Sequence, residues 1–75
     1  MTREFIPAPK GFVIERIDED TDLQIVRYRF SLSMTLDIAI SISAEKDSGY
    51  RQMTLEHGIR QLARGAGVKL VAFAA

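Results

Sequence analysis

The stretch that decides the fold runs from Val26 to Ala44 and reads VRYRFSLSMTLDIAISISA. Every even-numbered position in it is apolar, and every odd-numbered position except Ala39 is polar. The apolar set is Val26, Tyr28, Phe30, Leu32, Met34, Leu36, Ile38, Ile40, Ile42 and Ala44. A period of two places alternate side chains on opposite faces of a β-strand, whereas helical spacing would scatter them around the axis. The pattern therefore predicts strand with one buried face and one solvated face.

The length of this stretch is a constraint on the fold. Nineteen extended residues would span about 60 Å, while a 75-residue globule has a diameter on the order of 30 Å. The usual hairpin residues are absent before Asp37, yet the inward parity never switches, which requires an odd-length connection or a bend. We expect two strands, about 23–31 and 34–44, joined near residues 31–35. The alternative is one long bent strand shared between two intertwined subunits.

The N-terminal part divides into an arm, a strand and a turn. Residues 1–10 contain both prolines of the chain, which favour an extended arm. Phe5 and Ile6 in this arm are apolar, and we expect them to dock either on the domain's own core or on a partner subunit. Residues 11–17 are rich in β-branched and aromatic side chains and predict a strand. Residues 18–22 hold four acids in five positions and predict the turn of a hairpin.

The spacing of apolar residues becomes helical after a polar break. Asp47 or Ser48 is suited to cap the start of a helix that we expect over about 50–64. The apolar stripe of this helix is Leu55, Ile59, Leu62 and Ala66. These positions follow i, i+4, i+7 and i+11 and define one face. Gly58 lies beside that face and would let the helix approach a sheet closely.

The remaining C-terminal residues complete the predicted domain. Gly65 or Gly67 is expected to end the helix, and residues 68–73 predict a last short strand. The predicted fold is α+β: a mainly antiparallel sheet of about four strands, in the order β-β-β-α-β, with one helix packed on one face. Residues 1–10 are the extended arm, and residues 11–75 form a single domain.

Composition excludes several classes of function. Ten basic residues balance ten acidic ones, so the net charge is zero and a strongly basic nucleic-acid binder is excluded. The absence of cysteine removes disulfides, thiolate zinc sites and cysteine nucleophiles. No apolar run approaches the roughly 18 residues of a membrane span. We expect a cytoplasmic protein that has no membrane contact and no cofactor.

No motif of the sequence predicts a catalytic, cofactor or metal site. The acidic run at 18–22 begins like a calcium-binding loop, but Leu23 stands where glycine is required and Arg29 where glutamate is required. His57 is the only histidine, lies away from the apolar stripe of the helix, and cannot build a zinc site alone. No Gly-x-Ser-x-Gly motif is present to activate a serine. We therefore predict no catalytic, cofactor-binding or metal-binding residues.

Two pairs of arginines are candidate contacts to nucleic acid or to a protein partner. Arg27 and Arg29 share the polar strand face with hydroxyl side chains, and Arg60 and Arg64 add a basic patch on the helix. A platform for stacking bases needs aromatic residues among the basic ones, and here the aromatic residues have the opposite parity. Nucleic acid is therefore the less favoured partner. A thin core, a long alternating stretch and an unpaired sheet edge favour a homodimer.

Three functional hypotheses follow in order of preference. The first is a small non-enzymatic protein-interaction module, such as an adaptor, inhibitor or regulator, acting as a homodimer. The alternative is a nucleic-acid-binding regulator that uses the strand and helix arginines. The third is a small enzyme whose site lies at a dimer interface.

Overall fold

The computed structural model describes residues 4–67. Its elements are β1 (Glu4–Ile6), β2 (Val13–Asp20), β3 (Ile25–Ser31), β4 (Thr35–Ser41), α1 (Ile42–Glu45) and α2 (Ser48–Ala66). The four strands form one antiparallel sheet in the order β1-β2-β3-β4, and α2 packs on one face of it. The predicted α+β class is confirmed, with two helices instead of one. Four strands were predicted, with the last at residues 68–73, which lie outside the described residues. Among residues 4–67 the sheet reaches four strands because β1, in the predicted arm, is one of them.

The hairpin of β3 and β4 accounts for the alternating stretch. Its register is continuous from Ile25 opposite Ser41 to Ser31 opposite Thr35, so three residues connect the strands. The predicted two strands with an odd-length connection are confirmed, and one continuous bent strand is not what forms. The predicted end of the second strand, at residue 44, was wrong. Ser41 instead caps α1, because its Oγ accepts a hydrogen bond from the Ala44 N–H at 3.1 Å.

The core lies between α2 and one face of the sheet, which we call the inner face. Its buried apolar residues are Ile14, Val26, Tyr28, Phe30, Ile40, Ile59, Leu62 and Ala63. The even positions of the alternating stretch thus face inward, as predicted, except Met34 in the hairpin loop and Ala44 in α1. Gly58 brings the helix close: a Cβ atom there would lie 2.5 Å from Cζ of Phe30. The face opposite the core, the open face, carries the odd positions.

The turn between β2 and β3 lies later than the acidic run predicts. β2 continues to Asp20, and the turn comprises residues 21–24. Arg27 on β3 binds both carboxylate oxygens of Asp18 at 3.1 Å, which neutralises an acidic residue inside the strand. Gln24 has a left-handed backbone (φ 58°), and the Leu23 N–H donates to Oδ1 of Asp20 at 3.0 Å. The acids therefore end a strand and begin a turn, instead of forming the turn alone.

A β-bulge in β2 changes which side chains face the core. The pairing with β3 shifts between Arg16, opposite Tyr28, and Asp18, opposite Arg27. Ile17 is the extra residue at this shift. Arg16 therefore shares the inner face with Tyr28, and Asp18 shares the open face with Arg27.

Within the described residues, the N-terminal arm contributes the strand β1 to the domain's own sheet. Ile6 of β1 lies opposite Ile14 of β2 and packs against the core. Phe5 lies opposite Glu15 on the open face, where its side chain is 69% exposed. Of the two predicted arm contacts, Ile6 docks on the domain itself, and Phe5 is left on the surface.

The ends of α2 follow the predicted capping residues. Asp47 caps the start, since its Oδ1 accepts a hydrogen bond from the Tyr50 N–H at 3.1 Å. Gly67 ends the helix with a left-handed backbone at φ 71°, a conformation that glycine adopts without steric cost. The helix extends beyond the predicted residues 50–64 at both ends. No helix among residues 4–67 is both long and apolar enough to cross a membrane.

Candidate interaction surface

The outer edge of β4 presents backbone groups that point away from the sheet. Among residues 4–67, β4 pairs only with β3. The Leu32 N–H donates to the Met34 carbonyl at 2.9 Å, and the Ile42 N–H donates to the Gln24 carbonyl at 3.0 Å. These bonds set the hydrogen-bonded pairs of the hairpin at even-numbered residues. The odd-numbered residues of β4 therefore direct their N–H and C=O groups outward. They are Thr35, Asp37 and Ala39, whereas the carbonyl of Ser41, the N-cap residue, accepts the first hydrogen bond of α1.

This edge lacks the features that usually prevent strand addition. β4 contains no proline or lysine, and its single charge, Asp37, is bound on the open face by Arg29, with Nε–Oδ1 at 2.8 Å and Nη2–Oδ2 at 2.9 Å. Protected edges carry lysine, proline or bulges, or are very short. The opposite edge, β1, has three residues and is followed by Pro7 and Pro9. Of the two edges, β4 is the one suited to accept another strand.

An apolar groove lies along the same edge on the inner face. It has a volume of about 430 Å³ and lies between β4 and the N-terminal half of α2. Its lining residues are Ile38, Ala39, Ile40, Tyr50, Met53, Thr54 and His57. We call this surface the edge groove. Tyr50 is 52% exposed and Met53 is 69% exposed, so large apolar side chains here remain in contact with solvent.

The edge groove results from how α1 returns the chain onto the sheet. α1 is a single helical turn between β4 and α2, and the Asp47 cap fixes where α2 begins. At the other end of α2, a Cβ atom on Gly65 would lie 3.3 Å from Sδ of Met34 in the β3–β4 loop. The helix therefore runs back along the hairpin from the end of β4 to its start. Tyr50 and Met53 in the first turns of α2 come to lie beside the β4 edge.

The helical residues of the edge groove were not predicted. Tyr50, Met53, Thr54 and His57 follow i, i+3, i+4 and i+7, which is the spacing of a second stripe on α2. The sequence alone shows that Tyr50 and Met53 lie off the core stripe. It does not show that they face the edge of β4.

The predicted strand arginines lie together on the open face but are neutralised there. Arg27 binds Asp18 at 3.1 Å and approaches Asp20 at 3.7 Å. Arg29 binds Asp37, and this hydrogen bond lowers the pKa of the Asp37 carboxyl. Each cationic group thus faces a carboxylate of a neighbouring strand, and the open face is a set of ion pairs.

The predicted helix arginines lie on the other side of the molecule. Arg60 and Arg64 are exposed on α2, which covers the inner face, and Nη2 of Arg60 lies 3.8 Å from Oε1 of Glu56. The four candidate arginines are therefore split between two opposite sides. They do not form one basic surface on which a phosphate backbone could lie.

A network of side chains around Arg16, Tyr28 and Glu45, at the bulge end of the inner face, was not predicted. Nε of Arg16 donates to Oε2 of Glu45 at 2.6 Å, and Nη2 donates to Oε1 at 3.2 Å. The Tyr28 hydroxyl also donates to Glu45, and Nη2 of Arg16 reaches Glu19 at 2.9 Å. The backbone carbonyl of Glu45 accepts a bond from Arg51 at 2.9 Å. This network joins the sheet, α1 and α2.

The network shifts the pKa values of its members. The Arg16 guanidinium holds the pKa of the Glu45 carboxyl below its ordinary value, and Glu45 in turn raises the pKa of Arg16. Burial, with the bond to Glu45, raises the pKa of the Tyr28 hydroxyl to about 12. All three groups thus keep their usual charge state near neutral pH.

The single histidine and the acidic side chains of the described residues are dispersed over the structure. His57 is exposed in the edge groove and has no hydrogen-bond or ion-pair partner within residues 4–67. Nor does the described part of the chain contain three or more histidine or acidic side chains placed to hold a metal ion. The acidic run at 18–22 resembles a calcium-binding loop only in part, and two of its residues, Asp18 and Asp20, face Arg27.

Comparison of the chain with protein-family models, with curated protein sequences and with solved structures finds no significant match. The functional proposals below therefore depend on the geometry of residues 4–67.

Proposed function

We propose that this protein is a small non-enzymatic protein-interaction module that acts as a cytoplasmic homodimer through the edge of β4 and the edge groove. The observation that carries the proposal is the coincidence of two features on one side of the molecule. One is a seven-residue strand edge with outward backbone groups and no protecting residue. The other is a groove lined with exposed Tyr50 and Met53.

The two features complement each other energetically. Backbone hydrogen bonds to an added strand supply affinity and direction, and side-chain pockets beside the edge supply selectivity. Exposed aromatic and methionine side chains are enriched at the centres of protein interfaces. An added strand would turn alternate side chains toward the edge groove, where Ile38 and Met53 would pack against them.

Surface charge supports a protein partner over nucleic acid. The open-face arginines are bound to carboxylates, and the net charge of the chain is zero. The edge groove itself contains no Lys, Arg, Asp or Glu side chain. A partner bound there would be recognised by apolar contact and main-chain hydrogen bonds.

The first test is the mass of the full chain in solution, by size-exclusion chromatography with light scattering over a range of concentrations. We expect twice the monomer mass at micromolar concentration, with dissociation on dilution. A monomer throughout the high-micromolar range would refute the homodimer.

Ala39→Pro tests whether the β4 edge is the contact. The Ala39 N–H points outward, so proline there removes an edge donor without breaking a bond to β3. Two copies would lose two hydrogen bonds worth about 0.5–1.5 kcal/mol each, which weakens dimerisation roughly fivefold to 140-fold. Ala39→Ser, which keeps the N–H, is the matched control and is expected to dimerise normally. Equal dimerisation of the two variants would place the contact elsewhere.

A further inference from the structure

We infer that the partner strand at the β4 edge is β4 of a second copy, paired antiparallel about a two-fold axis at Ile38. This inference rests on the proposed function and specifies its interface. The pairing would join two four-stranded sheets into one continuous sheet of eight strands. It would also bring the two edge grooves together on the same face.

Backbone parity restricts the possible registers. Only the odd-numbered residues of β4 direct their backbone N–H and C=O groups away from β3. Hydrogen-bonded pairs between two copies must therefore join odd-numbered residues of one copy to odd-numbered residues of the other. A two-fold axis can then lie at any residue of β4, and the registers that pair most of the strand place it at Asp37, Ile38 or Ala39. An axis at Asp37 places two carboxylates directly opposite each other, which is unfavourable.

The register centred on Ile38 satisfies both faces of the sheet. On the open face, Asp37 lies opposite Ala39 of the second copy, and Thr35 lies opposite Ser41, so no like charges meet. On the inner face, Leu36 lies opposite Ile40, and Ile38 lies opposite its own counterpart. Every inner-face pair is then aliphatic, and each is directed toward the edge groove. An axis at Ala39 instead leaves Leu36 opposite residue 42, which belongs to α1 and not to a strand.

The helices fit the same arrangement. α2 packs over both β3 and β4. An axis midway between these two strands would lie half a strand spacing inside the edge strand. With strands about 4.8 Å apart, the two α2 helices would lie roughly 10 Å from each other across the axis, close to the 8–10 Å of packed helices. Tyr50 and Met53 of each copy would fill the space between them. Their present exposure would be explained by burial in the dimer.

The absence of cysteine allows a direct test by disulfide cross-linking of single-cysteine variants of the full chain. With the axis at Ile38, the two Cα atoms of residue 38 are a close pair about 4.5 Å apart, within the range that a disulfide bridges. In this register the Cα atoms of residues 37 or 39 would be roughly 8 Å from their counterparts, beyond that range. We therefore expect Ile38→Cys to form a covalent dimer under mild oxidation, and Asp37→Cys and Ala39→Cys to remain largely uncrosslinked. Phe5→Cys, on the exposed β1 strand, is the control for random collision.

The outcomes separate this inference from the proposed function. A dimer by mass that cross-links through position 37 or 39, or through none of the three, overturns the register and leaves the interaction module standing. A monomer overturns both. If the protein is a monomer and the thiol at position 38 resists alkylation, another part of the same chain covers the β4 edge. That outcome would also overturn the inference. Circular dichroism of each variant confirms that it is folded. If Ile38→Cys is destabilised, a mixture of Asp37→Cys and Ala39→Cys keeps the test valid, because residue 37 lies opposite residue 39 of the second copy in this register, about 5.5 Å apart, and should form a covalent heterodimer.

Discussion

The two faces of the sheet carry the same kinds of side chain in different surroundings. On the inner face, Arg16 holds Glu45 by two hydrogen bonds, and the two side chains are 22% and 14% exposed. On the open face, Arg29 holds Asp37 by two hydrogen bonds as well, but these side chains are 41% and 51% exposed. The geometry of the pairs is similar, so burial is the main difference. Exposed ion pairs contribute little to stability, whereas a shielded pair is costly to break.

The largest expected effect distinguishes the phenylalanines on the two faces. Phe30 is fully buried under Gly58, and Phe5 is 69% exposed. Phe30→Ala should lower the free energy of unfolding by about 3–5 kcal/mol, which threatens the fold of so small a domain. Phe5→Ala, the same substitution on the open face, should have little effect on the folded subunit. Urea denaturation measures both, and similar losses would contradict the assignment of the two faces.

A second prediction distinguishes the two ion pairs. Glu45→Gln removes the shielded charge that Arg16 and the Tyr28 hydroxyl both bind and leaves Glu19 as the carboxylate partner of Arg16, and we expect a loss of about 1–3 kcal/mol in the free energy of unfolding. Asp37→Asn removes a charge from the exposed pair and should leave unfolding unchanged within error, since water and salt screen that pair. Denaturant titrations at low and moderate salt provide the measurement. If both variants lost the same stability, burial would not be the deciding difference.

Much of this contrast between faces was predictable because its causes are local. The alternation from Val26 to Ile40 identifies the inner and open faces, and the constant inward parity left an odd-length loop, which forms, or a bend. Asp47 and Gly67 at the helix ends follow from the few residue types that suit those positions.

The Arg16–Glu45 pair was not predictable in the same way. Arg16 and Glu45 are 29 residues apart in the sequence. The alternation of inward and outward side chains in β2 also shifts by one residue at the Ile17 bulge, and no residue type in the sequence predicts that bulge. Ile42 to Glu45 also continue the strand pattern, yet they form α1 because the Ser41 hydroxyl caps a helix there. Only this helical turn places the Glu45 carboxylate over Arg16. The edge groove depends on the same turn, since α1 directs α2 along β4.

The smallest expected effect concerns the Tyr28 hydroxyl and appears only in alkali. Burial and the bond to Glu45 raise its pKa from 10.0 to about 12 in the folded chain. A folded-state pKa above the unfolded value stabilises the fold fully below pH 10, and this contribution is lost as the pH rises from 10 to about 12. The free energy of unfolding of the wild type should therefore fall more steeply across this interval than that of Tyr28→Phe. Tyrosinate absorbance gives an independent measurement, because the difference between the wild type and Tyr28→Phe reports the Tyr28 hydroxyl. Parallel stability curves for the two proteins through this interval would mean that the inner-face network does not hold the Tyr28 proton, and the contrast between the faces would then depend on the Arg16–Glu45 pair alone.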